Sequence, residues 1–122
     1  MCRFDHYCFN VLSHERSVEF YDKALGLKPV RRKPAADGSY NMIFLGDGVT
    51  GFTLELVEVV GRTEPYELGE RAYHLAFRTD EIDVLRARHS EMGCIIRSIP
   101  DTPIYFITDP DGYVIEILPE KY

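Results

Sequence analysis

Cysteine is scarce in this sequence and does not come in pairs. Cys2, Cys8 and Cys94 are an odd number spread over 122 positions, which excludes a disulfide framework and fits a reducing compartment. Long apolar runs are missing too. None approaches the roughly 20 residues that a helical span of a bilayer needs, so no membrane partner is expected. Positive charge is thin: 14 lysines and arginines against 20 acidic residues give a formal net charge of −6. The one basic cluster, Arg31-Arg32-Lys33, reads as a solvated strand end, and without a concentrated basic face no nucleic-acid partner is expected. The N-terminal Met-Cys-Arg-Phe-Asp-His lacks the basic-then-apolar layout of a secretory signal, and a cytoplasmic location is expected.

What is present is an internal repeat. Gly51-Phe-Thr-Leu-Glu-Leu-Val57 returns as Gly112-Tyr-Val-Ile-Glu-Ile-Leu118, 61 residues later, with the same order of residue types. Each copy places one glutamate, Glu55 or Glu116, in an apolar strand-like run. A carboxylate among aliphatic neighbours is costly to desolvate unless a positive group meets it. Two of them at equivalent positions of a repeat point to one shared site, for which a metal ion is the simplest partner.

The rest of each repeat can be read around that strand. Phe4–Val11 is β-compatible and carries His6 near its start. Ser13 is a good helix N-cap, Val18, Tyr21 and Leu25 recur at helical spacing, and Gly26 supplies a left-handed cap, so a helix is predicted over His14–Leu25. Strands come next at Leu27–Arg32, Tyr40–Leu45 and Gly51–Val59, with Pro34–Gly38 and Gly46–Gly48 as turns. Residues 61–70 are polar and join the halves. From Tyr73 the pattern restarts: a strand Tyr73–Arg78 carrying His74, a cap at Thr79-Asp80, and a helical stripe of Ile82, Leu85, His89 and Met92 ended by Gly93. Short strands come after it at Cys94–Ser98 and Ile104–Thr108, then the turn Asp109-Pro-Asp-Gly112. The fold class is therefore α+β: one 122-residue domain made of two β-α-β-β-β units, about 4–59 and 73–118, forming curved mixed sheets. One such unit cannot close a core alone; two, within or between chains, can.

The repeat extends to the histidines. His6 stands three residues before Phe9 and His74 three before Phe77, and both begin the first strand of their unit as both glutamates sit in the last. A lone strand histidine is more often a structural residue, and a lone strand glutamate more often faces solvent. Recurrence of both in a duplicated unit favours a metal site made of His6, Glu55, His74 and Glu116. Two neutral imidazoles and two carboxylates suit a borderline divalent ion, cancel its charge, and leave positions for two neighbouring substrate oxygens. Such a site is able to stabilise an enediolate, with a glutamate carrying the proton. Cys8 shares a strand face with His6, but Ala76 stands at its counterpart, so it is read as a packing residue. His14 and His89, on the helices, are read as structural or solvent-facing.

Several stretches together resemble the vicinal oxygen chelate superfamily, and within it glyoxalase I. They are Ser17-Val-Glu-Phe-Tyr21, Leu25-Gly-Leu27, Leu54-Glu-Leu56, Tyr66-Glu-Leu-Gly69, Tyr73-His-Leu-Ala-Phe77, Asp109-Pro-Asp-Gly-Tyr113 and Ile115-Glu-Ile117. The resemblance implies that His6, Glu55, His74 and Glu116 are the metal ligands, with Glu116 the main base and Glu55 its counterpart. It implies a nickel- or cobalt-activated enzyme ahead of a zinc one. The expected activity is methylglyoxal detoxification: a hemithioacetal of methylglyoxal and a thiol becomes a 2-hydroxyacyl thioester, in a homodimer with shared sites. Two positions depart from the family. Asn10 replaces an arginine that holds a glutathione carboxylate, and Val59 replaces an asparagine that also contacts glutathione, so the thiol is either glutathione or another. The alternatives are a metal-free small-molecule-sequestering protein, or an epimerase or dioxygenase on the same scaffold.

Overall fold

In the computed structural model, residues 1–121 are described, and they form two compact units, Met1–Tyr66 and Glu67 onward. The first unit runs β1 (His6–Asn10), α1 (His14–Leu25), β2 (Lys28–Pro34), β3 (Tyr40–Gly46) and β4 (Thr53–Val59). The second runs β5 (Leu75–Thr79), α2 (Ile82–Met92), β6 (Ile95–Ser98), β7 (Tyr105–Thr108) and β8 (Val114–Pro119). Each unit holds a four-stranded mixed sheet, in the order β1-β4-β3-β2 in one and β5-β8-β7-β6 in the other. The first strand pairs parallel with the last, and the remaining pairings are antiparallel. The α+β class and the doubled β-α-β-β-β order match the sequence pattern.

Local chemistry explains the helix limits. The Ser13 hydroxyl accepts from the Arg16 amide at the start of α1, and Gly26 ends it at φ 69°, the left-handed conformation that costs glycine least. In α2 the expected cap shifts by one residue. Glu81 is the N-cap and makes no side-chain cap bond, while Thr79 Oγ1 accepts from the Glu81 amide and so holds the turn before it.

Strand alternation decides which face of each sheet is covered. In the first unit α1 packs on β2 and β4, and Phe9, Ile43, Leu45, Leu54 and Leu56 are buried with Tyr21 and Ala24. In the second, α2 packs on β8, and Tyr105, Ile107, Ile115 and Ile117 are buried with His89. The helical histidines prove structural. His14 Nε2 lies 2.7 Å from the Leu56 carbonyl oxygen, and the buried His89 Nδ1 lies 2.8 Å from the Tyr105 hydroxyl. Burial pushes the Tyr105 hydroxyl up to about 12, so it stays protonated.

The alternate positions of the same strands make a second row in each sheet. Cys8, Glu55, Phe44 and Arg31 stand side by side across β1, β4, β3 and β2. Ala76, Glu116, Phe106 and Arg97 repeat that row across β5, β8, β7 and β6. Both arginines reach the row through a register shift, between Pro29 and Arg31 in β2 and between Ile95 and Arg97 in β6. One extra residue in a bulge re-aims the side chains beyond it.

Candidate metal centre

Each unit brings its histidine to its glutamate. His6 Nε2 lies 3.4 Å from Glu55 Oε1, and His74 Nε2 lies 3.6 Å from Glu116 Oε1. Those separations are long for a hydrogen bond. They are close to the ~3.0–3.4 Å that separates two ligand atoms held about 2.1 Å from one ion at octahedral to tetrahedral angles. Glu55 is buried, with 8 % of its surface accessible, and Glu116 is half-buried. Both histidines are exposed, so each pair has a covered carboxylate and an open imidazole. An imidazole beside a carboxylate is a donor pair that suits a borderline divalent ion, and each unit holds one such pair. Among the described residues, no three histidine, cysteine or acidic side chains gather into a metal-binding cluster.

An aromatic ring holds each imidazole. His6 meets Phe44 edge-on at 5.8 Å between ring centres, and His74 meets Phe106 edge-on at 5.4 Å. Arg31 caps the Phe44 ring at 5.0 Å, and Arg97 caps Phe106 at 4.5 Å. Neither the phenylalanines nor the arginines figured among the candidate site residues. Their signal is only in register: Phe44 and Phe106 are the direct cross-strand partners of the two glutamates. Arg31 is therefore more than the solvated strand end that the basic triplet suggests.

The two halves differ in detail. Asp5 Oδ2 lies 2.7 Å from His6 Nδ1, which leaves Nε2 for the Glu55 side; a carboxylate on the far nitrogen fixes ring orientation and raises ligand basicity. The Asp5 carboxyl is held below the usual range by that hydrogen bond first, and further by the charges of His6, Arg3 and Arg31. The position equivalent to Asp5 in the second unit is Tyr73. Cys8 departs from its reading as a packing residue. It is exposed, with Sγ 3.8 Å from Asn10 Oδ1. Partial burial of the thiol and the Glu55 charge push its pKa up to about 11, so it is a neutral thiol at pH 7. Tyr66, from the Tyr66-Glu-Leu-Gly69 motif, has its ring under the Arg62 guanidinium at 3.8 Å. Its hydroxyl is buried without a hydrogen-bond partner among the described residues.

The second unit also has a cavity of about 420 Å³ bounded in part by His74, Tyr73 and Phe106, within the size range of small-molecule sites.

A doubled β-α-β-β-β sheet with a His–Glu pair at matching places defines a fold class, and the chain belongs to it. The model of the glyoxalase/bleomycin resistance protein/dioxygenase superfamily matches residues 3–117. Among its relatives, the chain is 32 % identical to the lactoylglutathione lyase of Neisseria meningitidis serogroup A, covering 95 % of this chain and 89 % of that one. It is likewise 32 % identical to the lactoylglutathione lyase of Escherichia coli O157:H7, covering 95 % and 91 %. The trypanothione-dependent glyoxalase I of Leishmania major superposes with a TM-score of 0.86 at 31 % identity, over 99 % of this chain and 88 % of that one.

Proposed function

We propose that the chain is a metal-dependent lyase of the glyoxalase I type. It converts the hemithioacetal of methylglyoxal and a thiol, glutathione or another, to a 2-hydroxyacyl thioester. The observation that carries this reading is the His–Glu pair repeated at 3.4 and 3.6 Å in equivalent places of the two units. The named relatives, both lactoylglutathione lyases at 32 % identity, support the same reaction.

In this reading His6, Glu55, His74 and Glu116 hold one divalent ion, with nickel or cobalt ahead of zinc. When bound, the ion supplies Lewis-acid stabilisation of the charge that develops on two adjacent substrate oxygens. Glu116 takes the proton from the carbon that bears sulfur and oxygen and returns it to the neighbouring carbon. Glu55 is its counterpart. His6 and His74 are kept in orientation by their T-shaped contacts with Phe44 and Phe106. The protein works as a homodimer that shares its sites between chains, in the cytoplasm.

Asn10 and Val59 stand where a glutathione-specific enzyme has polar contacts. An arginine–carboxylate contact is worth about 1.5–3 kcal/mol, so glutathione affinity here has to come from other residues. Metal analysis of protein purified without added metal tests the reading, followed by thioester formation with nickel, cobalt and zinc and with several thiols. An apoprotein that binds none of the three ions overturns it.

A further inference from the structure

The two rows that carry the glutamates differ at one place. Phe44 and Phe106 flank Glu55 and Glu116 on one side, with Arg31 and Arg97 beyond them. On the other side Cys8 is the direct parallel partner of Glu55, whereas Ala76 is that of Glu116. Ala76 offers only a methyl group. Cys8 brings an S–H donor.

Alternation puts His6, Cys8 and Asn10 on one face of β1, opposite the buried Phe9. The single thiol proton has two acceptors within reach: Asn10 Oδ1, 3.8 Å from Sγ, and the Glu55 carboxylate on the adjoining strand. An ionised acceptor makes the stronger bond, and Cys8 keeps its proton at pH 7. Glu55 is also the more covered of the two carboxylates, its side chain 11 % exposed against 20 % for Glu116. A covered carboxylate meets less water, so a donor from the protein counts for more there. The imidazole does not hold it in place, because His6 Nε2 lies 3.4 Å away, long for a hydrogen bond.

We propose that Cys8 is a positioning residue for Glu55: its thiol donates to the Glu55 carboxylate and fixes the rotamer in which that carboxylate faces His6 Nε2. Glu116, with Ala76 beside it, has no tether on that side and is left free to turn towards substrate. A donor behind a ligating carboxylate raises metal affinity by keeping the ligand in place. Treating Glu55 as a ligand rests on the functional reading, but the thiol–carboxylate contact itself needs neither metal nor turnover to be seen.

The test begins with the apoprotein. The S–H stretching band of Cys8, identified as the infrared band that Cys8→Ala removes, lies below that of a free thiol because its proton is engaged. Glu55→Gln moves it up, and Asn10→Ala moves it less. A band that Glu55→Gln leaves in place, or that Asn10→Ala moves further, overturns the proposal. Nickel affinity, measured by competition with a chelator, falls about threefold to tenfold in Cys8→Ala, at the low end for a donor behind a ligand because a thiol donates weakly. Cys8→Ser, which keeps a donor, restores it. Wild-type affinity in Cys8→Ala overturns the positioning role, and so does equal loss in Cys8→Ala and Cys8→Ser, the result expected of a thiol that only packs. A band that moves up in Glu55→Gln, in a protein that binds no nickel, supports the contact and overturns the metal reading instead.

Discussion

His74 Nε2 stands 3.6 Å from Glu116 Oε1, and the first unit repeats the relationship with His6 and Glu55 at 3.4 Å. In both units the imidazole is exposed and the carboxylate more covered, and a phenylalanine from the neighbouring strand meets the imidazole edge-on. The two halves thus repeat one arrangement, and they differ in what surrounds each pair.

If Glu116 carries the proton, Glu116→Gln keeps the shape and loses the base. The expected fall in kcat is at least 10²-fold, in keeping with the usual contribution of a positioned general base, with a smaller change in the affinity for a non-reacting thioether. Steady-state kinetics beside a binding titration checks both. Unchanged turnover removes the assignment of Glu116 as the base.

Asp5→Asn weakens the hold on His6 without touching the ion. Loss of a carboxylate behind a ligating imidazole costs about tenfold or more in metal affinity. Competition of the variant with a chromogenic chelator for nickel measures it. An affinity equal to the wild type means that the 2.7 Å contact does not orient the ring.

Phe106→Leu keeps the core filled but removes the aromatic ring that meets His74 and lies under Arg97. The expected loss in unfolding free energy is about 1–2 kcal/mol, of which the aromatic contact itself accounts for about 0.5–1.5 kcal/mol. Urea denaturation measures the stability, and an unchanged midpoint means that the ring contacts contribute nothing.

Tyr105→Phe separates fold from site. It removes the hydroxyl that meets the buried His89 Nδ1 at 2.8 Å, at a cost of about 1–3 kcal/mol for a buried polar group that loses its partner. Metal affinity stays at the wild-type value, because Tyr105 points to the helix side of its sheet while Phe106 faces the other.

Sharing of sites between chains has its own signature. His6→Ala and His74→Ala proteins are each inactive as homodimers. Mixed and allowed to exchange, they form heterodimers in which one of two sites has all four ligands, and about a quarter of the wild-type activity returns if exchange is statistical. If each site lies within one chain, none returns.

Much of the fold and of the candidate site is legible in the sequence, and the reasons are physical. The bounds of α1 come from Ser13 and Gly26, because an N-cap acceptor and a left-handed glycine are local requirements that no distant contact has to supply. The His–Glu pairings are legible because duplication writes them twice. The supporting residues are not. Phe44 lies 11 positions from Glu55 and Phe106 lies 10 from Glu116, so a fixed spacing does not pick them out; only the antiparallel register does. Arg31 and Arg97 reach their rings through bulges, which shift the alternation that sequence reading relies on. Cys8 reads as packing because it lacks a counterpart, whereas it is an exposed neighbour of Glu55 in the adjoining strand.

The central claim is that the two His–Glu pairs act as one metal centre. Titration of the apoprotein with nickel, read by calorimetry on the wild type and on His6→Ala, Glu55→Gln, His74→Ala and Glu116→Gln, tests it most directly. One ion per chain is predicted, with each of the four variants weakening the binding at least tenfold. Two ions per chain, or an affinity that responds only to the variants of one unit, contradicts it.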